Sequence, residues 1–437
     1  MKNNIFIKST FILLIGGIIT KFLGMIIKIV MSRLLSTEGI GLYMLIIPTL
    51  SLILTLSNLG FPIAISKFTA EDTRNNKNLV FSLIPISILI NIIIMIVLIL
   101  SSKYISTYLL KESRVYLPIL CISFIIPFTS ISSIIRSYFF GKQKMFPHVI
   151  SNIIEDIIRL IIYIIGIPLF LKYGLVQTLC FLIISNIICE ISSIIVLLFF
   201  LPKNIEIKRS DLKPNKRYIK ESLSIGIPNT MGKLVGSIGY FLEPILLTFG
   251  LLLNGYSNSY IIYEYGVVSG YVIPLLLLPS FFSMAISQAL LPEVSKYSVR
   301  MDYSSIKRKL RQSVILCFLI GFVFTFVIFI YPSFFLNLLY KTSEGITYIR
   351  YLAPICILQY IQSPLASTLD ALGESRIIMI STFIGTVVRC IVLFLFAFLH
   401  IGIYTLILSI GFNIIVVSIY QYLKLKKILK KKDLNNN

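Results

Sequence analysis

Lys21 and Lys28 stand in a run made almost wholly of Ile, Leu, Phe, Met and Val. With Gly17 and Gly24 they fall at i, i+4, i+7 and i+11, so the four share one helical face. An ammonium group at the centre of a membrane helix costs about 2.5–3.5 kcal/mol on insertion scales, so it must meet water, an anion or protein. The pattern recurs later: Asn229, Lys233, Gly236, Tyr240 and Glu243 are spaced at i, +4, +7, +11 and +14. Pro48, Ser51, Thr55, Asn58 and Pro62 make a third polar stripe, and Ser280, Ser283, Ser287 and Gln288 a fourth. Hydroxyl and small residues alone suit close helix packing, at about 0.6 kcal/mol per hydrogen bond. The lysines ask for more, and the spacing predicts that Lys21, Lys28 and Lys233 line a polar cavity with Asn229, Tyr240, Ser51, Thr55 and Asn58. Lys21 and Lys233 come at about 17 Å along their helices and Lys28 about 10 Å further, a ladder suited to an anion that must cross.

Other intramembrane charges read differently. Glu155 and Arg159 are an i,i+4 pair, with Asp156 adjacent, and predict a structural ion pair. Glu190 shares a face with Asn186 and Ser193; it either partners Arg159 or binds a coupling cation. Arg389 has no evident partner in sequence. Glu243 precedes Pro244, and gate, cation site and plain interface residue all remain open for it.

These stripes need membrane helices to carry them. The 437 residues are 57% hydrophobic and 13% charged. Twelve apolar spans are long enough to cross a bilayer, at 9–31, 40–60, 79–100, 116–137, 149–171, 175–200, 222–249, 264–291, 313–336, 347–369, 377–398 and 401–423. The formal charge of +22 sits in short loops, which points to topology and anionic lipid rather than nucleic acid. With Arg136 and Arg350, near the ends of their spans, counted with the adjoining loops, 28 of the 40 Lys and Arg fall on the side of the termini, 7 on the other, and five within spans; the bias places both termini in the cytoplasm. The six cysteines form no CxxC and imply neither disulfide nor metal. No P-loop, HExxH or GxSxG occurs, so no cofactor and no catalytic constellation is expected.

The polar stretch 202–221 divides the spans six and six, predicting an N-terminal lobe at 1–201, a cytoplasmic linker, and a C-terminal lobe with a basic tail at 222–437. Three matches in the same order link the lobes: Lys21-Phe-Leu-Gly24 with Lys233-Leu-Val-Gly236, Ser66-Lys67 with Ser295-Lys296, and Gly141-Lys-Gln-Lys144 with Gly373-Glu-Ser-Arg376. The expected fold is an all-α integral membrane protein, with twelve helices in two pseudo-symmetric six-helix lobes around a central cavity.

The stretches ITKFLGMIIKIVMSRLLSTEGIGLY (19–43), GFPIAISKFTAED (60–72), RSYFFGKQKMFPHVISNIIEDIIRL (136–160) and SIGIPNTMGKLVGSIGYFLEPILL (224–247) carry a resemblance. They resemble the stage V sporulation protein B family of polysaccharide-type flippases, relatives of the lipid II flippase in the multidrug/oligosaccharidyl-lipid/polysaccharide exporter superfamily. The resemblance implies alternating access and an isoprenoid-pyrophosphate-linked sugar as cargo, such as a cell-wall precursor. Family members commonly carry arginine where Lys21 and Lys28 stand, which keeps the charge and loses the bidentate fork. Arg136-Ser137 stands where Arg-Gly is usual, and the lipid II branch has two helices beyond the twelve.

The reading is thus a flippase at the cell membrane that meets a lipid-linked sugar and anionic lipids, its oligomeric state left open, a monomer included. A multidrug cation exporter would need carboxylates at mid-cavity, where the central groups here are basic. A membrane-embedded glycan polymerase would need a catalytic group on a sizeable outer loop.

Overall fold

The computed structural model describes the backbone of residues 2–70, 76–201 and 216–434, with side chains at 12–13, 15–70, 83–201, 219–226 and 230–431. Every element among them is helical. The first spans are α1 (Lys2–Leu34), α2 (Thr37–Asn58) continued by α3 (Phe61–Ala70), α4 (Asn76–Tyr104), α5 (Tyr116–Gly141), α6 (Met145–Leu171) and α7 (Leu175–Phe199). Then come α8 (Lys216–Leu253), α9 (Asn258–Gly266), α10 (Ile273–Leu276), α11 (Ser280–Val299) and α12 (Tyr303–Ile330). The last are α13 (Pro332–Tyr340), α14 (Ile346–Ala371), α15 (Ser375–Ala397) and α16 (Tyr404–Leu434).

Nine described helices are long and apolar enough to cross a membrane, and the bent pair through α9–α10 and α11 makes a tenth. Helices α6 and α14, of 27 and 26 residues, are long enough as well; α6 carries three charges, Glu155, Asp156 and Arg159, in its middle. The chain is therefore a multi-pass membrane protein of the twelve-span plan. The ninth span stops at Ile330 rather than 336, because Pro332 has no N–H to continue a helix and opens α13 instead.

The chain packs as two compact units, Met1–Phe241 and Leu242–Asn437. The division falls inside α8. Residues 202–215 lie outside the described residues, and 216–221 are already helix.

In the first unit α1 packs on α6, and α5 on α4 and α7. The second span breaks after Asn58 because Leu59 and Gly60 both take positive φ, 42° and 72°. A leucine there is strained, and the break presses the backbone onto α8. A Cβ on Gly226 would lie 2.6 Å from the Leu59 carbonyl, and one on Gly60 would collide with the Gly226 backbone. Around this contact Phe61, Ala64, Ile65, Phe68, Leu83 and Ile134 form a buried cluster, with Ile219, Leu223 and Ile225 of α8 packed against it. These contacts explain why the first part of α8 belongs to the first unit.

In the second unit α14 is central, packed by α11, α12 and α16. The eighth span is broken too, with a 49° bend between α10 and α11. The fully buried Tyr360 of α14 donates from its hydroxyl to the Leu276 carbonyl at that break (2.5 Å), so the kink does not strand a backbone acceptor. Both units thus break their second span. Both also join the fourth span to the fifth by a three-residue turn with one left-handed residue, Gln143 in the first and Gly373 in the second. This shifts the expected match by two residues. Gly141 is the last residue of α5, where a Cβ would lie 2.5 Å from the Ser66 carbonyl, and it is Gln143 that corresponds to Gly373.

Gly226 and Gly17 make a direct comparison. Gly226→Ala forces backbone apart and should cost about 1–3 kcal/mol. Gly17→Ala adds its carbon to open space and should leave the melting temperature of the purified protein unchanged or raised. Equal melting temperatures for the two variants would remove the backbone contact from the account.

Candidate functional site

Helix α1 has three faces. Gly16, Ile27 and Met31 are buried, and a Cβ on Gly16 would collide with the Val149 side chain of α6. Ile15, Ile19 and Phe22 are exposed and apolar. Lys21 and Lys28 are also exposed, roughly 140° around the helix from that apolar face at 100° per residue. The lysine face is open, since a Cβ on Gly17 or Gly24 would have nothing within 4 Å. Neither lysine forms an ion pair among the described residues. One exposed face therefore suits acyl chains, and the other suits water or an anion.

Lys233 on α8 is exposed as well, and Tyr240 is half-buried and has a partner. The side chain of Asn229 lies outside the described residues. The stripe on α2 is spent mostly within helices. Thr55 bonds the Ser51 carbonyl and the Ser237 hydroxyl of α8, both at 2.8 Å. Asn58 donates to the Leu54 carbonyl at 2.9 Å, while its own carbonyl oxygen is buried without a partner. The structure thus brings Thr55 to α8 one turn from Lys233, as a helix–helix hydrogen bond.

The remaining charges are engaged. Glu155 and Arg159 are 2.5 Å apart, Arg159 also reaches Asp156 at 2.7 Å, and its Nε donates to Asn186 at 3.1 Å. Glu190 does not pair with Arg159. It accepts from the Ser132 hydroxyl at 2.5 Å and lies 3.6 Å from Arg136. Arg136 on α5 is the residue that sequence reasoning missed. It forms an ion pair with Glu155 and donates to the Ser193 hydroxyl at 2.6 Å. The signal was charge balance: Glu155, Asp156 and Glu190 outnumber Arg159, so a second cation was needed.

Glu243 separates from the lysine of its own stripe. It is 2% exposed and forms an ion pair with Arg389 of α15, with the Tyr265 hydroxyl 3.5 Å away. Of the readings left open for Glu243, this geometry is that of an interhelical pair, and it supplies the partner that Arg389 lacked. Its carboxylate already holds a cation. Removing Arg389 leaves the buried Glu243 carboxylate without its cation. Arg389→Leu alone should therefore cost about 3–5 kcal/mol, whereas Arg389→Leu with Glu243→Leu should recover most of that. Thermal melts of the single and double variants measure the difference, and additive losses would show that the pair does not act as one.

Comparisons with known proteins agree with this architecture. Residues 6–298 match the family model described as polysaccharide biosynthesis protein, and residues 268–395 match MatE. The chain is 29% identical over 440 residues to stage V sporulation protein B of Bacillus subtilis (strain 168), covering 98% of this chain and 85% of that protein. It is 22% identical over 422 residues to the lipid II flippase MurJ of the same organism, covering 88% and 76%. Among solved structures, the inward-facing conformation of a multidrug resistance MATE family transporter of the MOP superfamily superposes with TM-score 0.74, at 15% identity and 96% of each chain. A MOP superfamily transporter from Pyrococcus furiosus Vc1, described as having a binding pocket of reverse polarity that suggests a different function, superposes with TM-score 0.65 at 13% identity, covering 98% of this chain and 96% of that one. With its model spanning well over half of the residues, the chain belongs to the polysaccharide biosynthesis protein family.

Proposed function

We propose that this protein is a flippase for lipid-linked oligosaccharides or cell-wall precursors, working by alternating access. One observation carries the reading. Lys21 and Lys28 are exposed on an open helix face without an ion pair among the described residues, whereas Glu155, Asp156, Arg159, Glu243 and Arg389 are all paired. In a chain that pairs most of its intramembrane charges, free amines call for an anionic visitor. A pyrophosphate between sugar and isoprenoid supplies that anion, and Lys21, Lys28 and Lys233 would hold it as point charges. The similarity to stage V sporulation protein B and to a lipid II flippase supports the class of cargo.

A cation exporter fits less well. Its carboxylates would have to be free, and here arginines engage Glu155, Glu190 and Glu243.

The charge bias of the loops puts both termini in the cytoplasm. The contact of Gly60 and Gly226 then lies on the cytoplasmic side, and the Thr55–Ser237 hydrogen bond lies above it. A passage between these helices on that side would require α2 and α8 to part there. Energy would come from membrane potential or an ion gradient, at about 2.3 kcal/mol per charge per 100 mV.

Two measurements test this. In vesicles carrying a defined lipid-linked sugar, Lys21→Ala or Lys233→Ala should reduce flipping to background, and arginine at either position should restore it. Normal flux in both alanine variants refutes the assignment. In a background without the six native cysteines, Thr55→Cys with Ser237→Cys should form a cross-link on oxidation, stop flipping, and release it again on reduction. Undiminished flux in fully cross-linked protein would mean that α2 and α8 do not separate there.

A further inference from the structure

Where α3 and α5 end and α6 begins, the first unit holds a cavity of about 570 Å³. Lys67 of α3, Arg136 of α5 and His148 of α6 all line it, with the Ser133 hydroxyl among them and Pro62 and Phe140 as apolar wall. No carboxylate lines it. Lys67 is exposed and forms no ion pair among the described residues. Arg136 gives one terminal nitrogen to Glu155 and Ser193, yet its Nε is buried with no hydrogen-bond partner. The Nδ1 of His148 is buried and unpartnered too, with its ring set edge-on to Phe140 at 6.2 Å.

Three helices thus bring Lys67, Arg136 and His148 to one cavity whose lining holds no carboxylate. A tetrahedral oxyanion offers several acceptors at once to such a set. The apolar wall adds a second requirement that a bare ion does not use. The cavity also lies at helix ends, the level at which a bilayer presents its phosphates.

We propose that this cavity binds a phosphate-bearing anion, supplied either by the headgroup of an anionic lipid or by soluble phosphate. No residue of α1 lines it, and its binding of an anion does not depend on what the protein carries. Because Arg136 serves both the cavity and the ion network with Glu155, occupancy would also steady the packing of α5 on α6 and α7.

The test uses the full chain, purified in detergent and stripped of lipid. Retention of phosphatidylglycerol against phosphatidylcholine is read by native mass spectrometry, and the melting temperature is read with and without millimolar inorganic phosphate. Lys67→Gln and His148→Leu are compared with Lys430→Gln, the same charge change on the basic tail of α16. Wild type should prefer phosphatidylglycerol, and Lys67→Gln should weaken that retention about tenfold, while Lys430→Gln changes it by about twofold at most. A melting temperature raised by inorganic phosphate in wild type and not in Lys67→Gln would assign the cavity to the soluble anion. His148→Leu should lose the same binding, so a folding defect in one variant leaves the other decisive. If folded Lys67→Gln or His148→Leu binds both probes as wild type does, the proposal is wrong.

Discussion

An ionised side chain inside a bilayer must be answered by an opposite charge, by water or by a ligand, and the architecture of this protein follows from how each one is answered. In the first unit, α5, α6 and α7 are drawn together by two arginines and three carboxylates. In the second, Glu243 of α8 pairs with Arg389 of α15. Such pairs add little net stability over apolar packing, but they fix which helix stands beside which. Against this background the two amines of α1 and that of Lys233 stand out, because no ion pair answers them among the described residues.

Backbone geometry shapes the rest. Long membrane helices leave few places where the chain can bend, since every freed N–H and C=O needs a partner. Here the second span of each unit is broken. In the first, two successive left-handed residues at Leu59 and Gly60 turn the chain and set it against Gly226. In the second, the bend is tolerated because Tyr360 reaches the carbonyl at the break. The same topological position is used in both halves, with different side-chain chemistry supporting it. This is the pattern expected of a duplication whose halves have since diverged.

Much of this was legible in the sequence, and the failures have identifiable causes. The spans were visible because a 30 Å hydrocarbon core demands long apolar runs. The Glu155–Arg159 contact was visible because i,i+4 neighbours meet within one helix. Arg136 was overlooked because it sits near the end of its span, where an arginine is ordinarily wet. Glu243 was grouped with Lys233 because spacing reports only the face of a helix. The structure buries Glu243 against α15 while leaving Lys233 exposed, a difference that arises from neighbours. The duplicated turn was found, but its register was misread by two residues, because a glycine serving close packing at Gly141 looks the same in sequence as one serving a positive φ at Gly373.

The sequence by itself determined the solvent of this protein, the number of its spans and the burden of charge each must carry. Those properties are local, set by hydropathy and by 3.6-residue periodicity. Only the tertiary structure decided which charges neutralise one another and which are left open. Partners such as Arg136 with Glu155, or Glu243 with Arg389, come from different helices, and no periodicity within a single helix encodes what will be packed across from it.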